Sequence, residues 1–312
     1  MGRRHFLAVA TATAATPFIR TLSARAAAEL SVTEVAAGVF VHTGRHEEFS
    51  PGNAGDISNV GFVIGKDGIA VIDTGGSPVV GKVAYETIRR ISDRPIRYVI
   101  NTHMHPDHVF GNVAFEGDNV TFVGHHKLPR ALAARQERYL AINKVNLGDA
   151  AFEGTKIIMP NVTVTGRLEL DLGDRKLALE TQKTAHTDND MTVRDLATDT
   201  LFMGDLLFVD RIPSIDGSIR GWLGVIDELS RVPAARVVPG HGPASVSWPD
   251  AAKPLAHYLS RIVEDVRAEI KQGRTMTNAM AEAAISEKAG WLLADAYHAR
   301  NVSAAFAELE WE

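Results

Sequence analysis

The sequence predicts an α/β fold: two β-sheets with helices on their outer faces, followed by a helical C-terminal segment. Three observations carry this. Short apolar runs bounded by Gly, Asp or Asn recur from Val60 to Gly240. Stretches of helical periodicity sit between some of them, and beyond Trp248 the 3.6-residue period takes over almost completely.

Taken in order, "VGFVIG" from Val60, "GIAVID" from Gly68 and "RYVI" from Arg97 read as the first strands. "TFVG" at Thr121, "LELDLG" at Leu168, "KLALET" at Lys176, "TLFMG" at Thr200 and "RVVPG" at Arg236 read the same way. Helices are predicted over Val79–Ile91, Lys127–Asn143 and Gly221–Arg231. The spacing in "LAHYLSRIVEDVRAEI" predicts an amphipathic helix that opens the terminal segment. Before the first hairpin, the polar Gly/Pro-containing stretch His46–Asn59 reads either as a flank of the functional groove or as a mobile surface loop.

With 312 residues, 45% hydrophobic and 23% charged, the chain has ample material for a core, so disorder is not the default. The N-terminus differs in kind. Arg3 and Arg4 precede Phe6 and Leu7, an Ala/Thr-rich stretch follows, and Ala26–Ala28 fits a small-residue cleavage site. This resembles a twin-arginine export signal over residues 1–28, leaving 29–247 as the main domain and 248–312 as a helical extension packed on it. Cleavage would remove four arginines and no acids, moving the formal charge from −5 to about −9. That balance disfavours nucleic-acid binding, which needs a clustered basic surface. No apolar run of membrane-spanning length follows the signal, so no membrane association is expected after cleavage. There is no cysteine, which excludes disulfides, thiolate ligands and a thiol nucleophile.

The chemistry concentrates in "NTHMHPDHVFG", from Asn101 to Gly111, just after a strand-like run. If extended geometry persists, His103 and His105 point to one side, and Asp107 and His108 follow a proline that ends the strand. Neutral imidazoles and a carboxylate converging on one spot are a ligand set that zinc prefers. Crowding of this kind brings no benefit to a solvated surface loop.

These residues resemble the metallo-β-lactamase fold superfamily, whose pattern is His-x-His-x-Asp-His followed by a distant His, an Asp and a final His. "KTAHTDND" supplies His186, "LFMGDLLF" supplies Asp205 and "VVPGHGPA" supplies His241, so the resemblance covers roughly residues 35 to 245. It implies an αββα sandwich with a helical C-terminal extension. It also implies that His103, His105 and His186 hold one metal, that Asp107, His108 and His241 hold a second, and that Asp205 and a hydroxide bridge them. Two cations side by side acidify bound water and clamp a developing oxyanion. The implied activity is metal-dependent hydrolysis of a carbonyl substrate (ester, thioester, lactone or β-lactam), with Asp107 as catalytic proton carrier. Asp73, in "VIDTGG", matches the early strand-turn of the family and is expected to support the ligands rather than join them.

Departures narrow the resemblance. Aspartate at 205, where many true β-lactamases carry Cys or Ser, looks more like the dinuclear thioester and lactone hydrolases. Histidine at 105, where di-iron members place Glu, favours two zinc ions, with iron or manganese as alternatives. "GDLLFVDRIPSIDGSIRGWL" and "RNVSAAFAELEWE" look like the periplasmic zinc metallohydrolases of quinoprotein systems, related to the sulfur-oxidation metallohydrolases. That family implies a periplasmic protein acting on a small molecule, with a quinoprotein as partner. A β-lactamase proper, a mononuclear-iron sulfur dioxygenase using His103, His186 and Asp205, and a non-catalytic metal-binding accessory protein are the alternatives.

Other residues read as structural. "DRIPSIDG" is balanced between substrate loop and plain connection. His125 and His126 are expected to start a helix as a partly exposed pair, and His42, His46, His257 and His298 to lie at the surface or cap helices. Tyr258, Trp291 and Tyr297 are expected as core contacts.

Overall fold

The chain, described at Gly2, residues 30–117 and residues 119–312 of a computed structural model, builds two facing sheets. The first runs in sequence order through β1 (Val32–Ala36), β2 (Val39–His42), β3 (Val60–Ile64), β4 (Ile69–Ile72), β5 (Ile96–Ile100), β6 (Thr121–His125) and β7 (Val162–Val164). Its first four strands are antiparallel, and β4 through β7 are parallel. The second contains β8 (Arg167–Asp171), β9 (Lys176–Thr181), β10 (Met191–Asp195), β11 (Thr200–Phe208) and β12 (Arg236–His241), in the order β12-β11-β10-β9-β8. Only its β11–β12 pair is parallel. Apart from Gly2, the proposed signal lies outside the described residues.

Alternation sorts the side chains into layers. In β4, Ala70 and Ile72 face the second sheet, where they join Leu177, Leu179, Val193 and Phe202. Ile69 and Val71 face outward onto Ala84 and Ile88 of α1 (Pro78–Ile91). A strand buried on both faces needs such an unbroken apolar run. Ser77 caps α1 by accepting from the Val80 N–H at 3.2 Å, and Pro78 fits the first turn. Burying a side chain such as Ile88 contributes about 1.5–3 kcal/mol. After β5 come the single turn α2 (Pro106–Val109) and the long α3 (Leu128–Phe152).

The outer face of the second sheet is covered by α4 (Ile219–Ser230), α5 (Lys253–Lys271), the short α6 (Met276–Glu282) and α7 (Ala294–Leu309). Leu201, Met203 and Leu207 of β11 form one cluster with Trp222, Leu255, Leu259, Ile262 and Val302 from these helices. The two-sheet architecture and the terminal helices agree with the sequence prediction.

Strands β1, β2, β7 and β10 went unpredicted. β1 is an edge strand of mixed polarity and β7 has three residues, too short for a period to register. The predicted helix 127–143 continues to Phe152 through a kink at Gly148, whose φ of +71° suits glycine. His42 and His298 are buried, not superficial. His42 donates to Ser31 O (2.9 Å) and contacts Asp56 (2.7 Å), while His298 lies between the Tyr258 hydroxyl (3.1 Å) and Ala283 O (3.0 Å).

Candidate metal centre

Strand β5 ends at Ile100, before the proline, and the backbone turns under the control of Asp73. The Asp73 carboxylate accepts from the Thr102 N–H (2.9 Å), the Thr102 hydroxyl (2.7 Å) and His108 Nδ1 (2.8 Å). His103 and His105 therefore leave a loop rather than a strand, and Asp107 and His108 leave the first turn of α2. His186 comes from the β9–β10 loop, and His241 is the last residue of β12.

Asp205 lies inside β11, where sequence reasoning expects a strand end. The β11–β12 register slips between Phe202 and Gly204 and again before Phe208, an irregularity that re-aims a side chain. Gly240 makes room for it: a Cβ there would stand 2.0 Å from Asp205 Oδ1.

The seven side chains meet in two groups, His103, His105, His186 and Asp205 in one, and Asp107, His108 and His241 in the other. Nitrogen ligands of a tetrahedral zinc stand about 3.3 Å apart, since each lies about 2.0–2.1 Å from the ion. Here His186 Nε2 is 2.9 Å from His105 Nδ1 and 3.3 Å from Asp205 Oδ2, and His103 Nε2 is 3.7 Å from the same oxygen. In the second group His241 Nε2 is 3.3 Å and His108 Nε2 3.6 Å from Asp107 Oδ2. Asp205 reaches both, with Oδ1 3.1 Å from His108 Nε2 and Oδ2 3.3 Å from His241 Nε2. His103 Nε2, His108 Nε2 and Asp205 Oδ1 are buried without a hydrogen-bond partner, so the donor set fits metal ions.

Each histidine is held from behind. His103 Nδ1 donates to the Thr102 hydroxyl (3.0 Å), itself bonded to Asp73, and His108 Nδ1 donates to Asp73 directly. His186 Nδ1 donates to Ser214 O (2.7 Å), and His241 Nδ1 lies 2.7 Å from Ile57 O and 2.9 Å from Arg211 Nη1, which itself donates to that carbonyl at 3.2 Å. His105 is reversed, with Nε2 donating to Asp216 (3.1 Å) and Nδ1 facing the cluster. At His103, His105, His108 and His186 the hydrogen bond turns the other ring nitrogen toward the cluster as a ligand.

The electrostatics suit cations. Burial holds the His103 pKa well below the ordinary imidazole value and brings His186 down to about 3, so both are neutral. Burial would raise Asp205, yet His241, His108 and His103 hold it well below the usual carboxylate range. Asp107 is likewise lowered, with His108 and His241 outweighing its burial. The outer wall is apolar: Trp222 donates to Leu206 O (3.0 Å) and meets the His186 ring edge-on at 5.1 Å.

The "DRIPSIDG" loop is more than a connection. Asn301 of α7 accepts from the Ile215 N–H (3.0 Å) and donates to Pro213 O (2.7 Å), fixing the loop that supplies Arg211, Ser214 and Asp216. Ile57, at the end of the His46–Asn59 stretch, is the other backbone support. Tyr297 belongs to the site, with its ring 5.7 Å from the Arg211 guanidinium, whereas Tyr258 is core as expected. His125 is buried and accepts from the Lys127 N–H (3.0 Å), outside both ligand groups, while His126 is exposed.

Two largely buried His/Asp clusters, assembled from loops, a helix turn and two strands of an αββα sandwich, define a metal-binding protein. Residues 53–241, which include all seven side chains, match the family described as the metallo-beta-lactamase superfamily, and the chain belongs to it, a family of metal-binding hydrolases. The linear primary-alkylsulfatase of Pseudomonas sp. (strain ATCC 19151) is 41% identical over 49 residues, 16% of this chain and 9% of that protein. Among solved structures, the stereoselective inverting sec-alkylsulfatase Pisa1 from Pseudomonas sp. superposes with a TM-score of 0.70 at 15% identity, over 90% of this chain and 50% of that one. A metallo-beta-lactamase from Pontibacter korlensis superposes with a TM-score of 0.58 at 21% identity, over 74% of this chain and 99% of that one. The chain thus spans about half the length of the alkylsulfatase structure, and these likenesses speak to fold.

Proposed function

We propose that the protein is a dinuclear zinc hydrolase, with His103, His105 and His186 holding one ion, Asp107, His108 and His241 the other, and Asp205 shared between them. The observation that carries this reading is the two adjoining clusters, in which Asp205 approaches histidines of both. Bound there, two zinc ions would supply an acidified water as nucleophile and a Lewis acid for the developing oxyanion. The chain's own residues do the rest. The hydrogen bonds behind the histidines aim their inward nitrogens at the metals, and Asp107, ionised at neutral pH and lining the cavity, accepts or passes a proton as the leaving group departs.

The substrate of this reading is a carbonyl compound: an ester, thioester, lactone or β-lactam. A second reading, hydrolysis of a sulfate ester, is favoured by the alkylsulfatase likeness, which extends over the terminal helices as well as the sandwich. Export to the periplasm and association with a quinoprotein belong to the proposal on sequence grounds alone.

Elemental analysis of the protein purified without added metal, combined with assays on thioester, lactone, β-lactam and alkyl sulfate substrates, tests it. About two zinc per chain with turnover is the expected result. Asp205→Ala should lose both metals and all hydrolysis; two tightly held zinc ions in that variant would overturn the assignment.

A further inference from the structure

A cavity of about 260 Å³ opens beside the two clusters, with His105, Asp107, Asp205 and His241 in its lining. One face of α3 contributes to it at helical spacing, through Arg135, Arg138, Tyr139 and Ile142, and α7 adds Tyr297 and Arg300.

The charge of this lining runs against the chain as a whole, which carries 38 acidic and 33 basic side chains. Four arginines line the cavity. Two are committed: Arg135 lies 3.8 Å from Asp216, and the buried Arg211 donates to Ile57 O. The side chains of Arg138 and Arg300 enter no hydrogen bond or ion pair among the described residues. The carboxylates nearby are engaged as well, Asp107 and Asp205 in the clusters and Asp216 with His105. Both guanidinium groups are exposed on the lining of the same cavity, where a ligand carboxylate can reach them and accept from their forked N–H groups.

A second observation is independent of charge. The Tyr139 hydroxyl, in the same lining, is buried and has no hydrogen-bond partner. A buried donor of this kind is satisfied when a ligand oxygen reaches it.

We propose that the cavity takes an elongated substrate with a carboxylate at the end remote from the scissile group. Arg138 and Arg300 hold that carboxylate, and the Tyr139 hydroxyl donates to a substrate oxygen between it and the metal clusters. Which end is cleaved rests on the hydrolase reading, but the two-ended binding does not. The anion at the arginines is distinct from any group at the metals, so a molecule with a single anionic end leaves one of the two subsites empty.

Calorimetric titration of the metal-loaded full chain with glutarate, adipate and suberate, each against the monocarboxylate of equal length, tests the proposal without requiring turnover. At one chain length the dicarboxylate should bind about tenfold more tightly than its partner, as expected for a bidentate guanidinium contact. In an Arg138→Gln/Arg300→Gln variant of unchanged metal content that advantage should vanish. Tyr139→Phe should weaken diglycolate, which carries an ether oxygen between its two carboxylates, and leave glutarate, which has only methylenes there, unchanged. Equal binding of both series at every length, no binding of either, or a preference that survives the double variant would each overturn the proposal. A failure of the hydrolase reading would show separately, as absent turnover with the binding preference intact.

Discussion

Replacing Asp73 by Asn changes one atom and should reach both metal clusters. The wild-type carboxylate accepts three hydrogen bonds, at 2.9, 2.7 and 2.8 Å, and holds His108 directly and His103 through Thr102. An asparagine oxygen can keep the Thr102 N–H, but the amide nitrogen that replaces the second oxygen only donates. To meet it, His108 must accept at Nδ1 and carry its proton on Nε2, the atom that faces Asp205 at 3.1 Å and would bind metal. Loss of such an outer partner weakens metal binding 10- to 100-fold, which is about 1.4–2.7 kcal/mol. Burial opposes charge on His108, yet Asp205, Asp107 and Asp73 together hold its pKa well above the ordinary value, so Asp73 also helps to keep the histidine in place before metal enters. Competition with a chromophoric chelator reads the two affinities separately. The Asp107/His108/His241 ion should be released first, with the other following at higher chelator. Two ions held as tightly as in the wild type would refute the argument that Asp73 sets the tautomer.

Other perturbations follow from the same contacts. Gly240→Ala places a methyl 2.0 Å from Asp205 Oδ1, with backbone of Gly204 behind it, so Asp205 must swing away; less than two metals per chain by elemental analysis is expected. Asn301→Ala strips the fully buried amide from Pro213 O and the Ile215 N–H, costing about 2–4 kcal/mol by denaturant unfolding and loosening the His186 and His105 supports. For His42, burial lowers the pKa but the Asp56 hydrogen bond and charge outweigh it and leave it raised. The folded state therefore binds that proton more tightly than the unfolded one. Its contribution is complete below about pH 6.5 and fades as pH rises through the raised value. Thermal unfolding from pH 6 to pH 9 should show Asp56→Asn trailing the wild type most at the acidic end, and a gap that widened with pH would sink this account.

Much of the sandwich was legible because its inner strands are apolar on both faces, as in "GIAVID", while the edge strands are short and mixed. The ligand residues stood out by density, with four ionisable side chains between His103 and His108. Their supports did not. Ile57 and Ser214 act through backbone carbonyls, which carry no side-chain signature, and Asp216 looks like any turn aspartate until His105 is seen beside it. Asp73 was readable only because it follows a strand in a familiar turn. The place of Asp205 within β11 depended on a register slip against β12, a property of two strands together that neither segment discloses alone. His42 and His298 misled for a related reason: a lone histidine gives no sign of whether a buried carboxylate or hydroxyl awaits it.

The Asn301 bridge has a consequence for biosynthesis. Every residue of the two clusters is translated before α7, yet the loop that steadies His186 and His105 is fastened by an amide on that helix. A nascent chain can close its sandwich and seat His103, His108 and His241 on Thr102, Asp73 and Ile57, but the loop behind His186 and His105 is fastened only once α7 has left the ribosome and docked. Firm anchoring of those two histidines is thereby deferred until α7 is made, and a chain truncated before residue 294 would carry all seven side chains with two of them unsteadied.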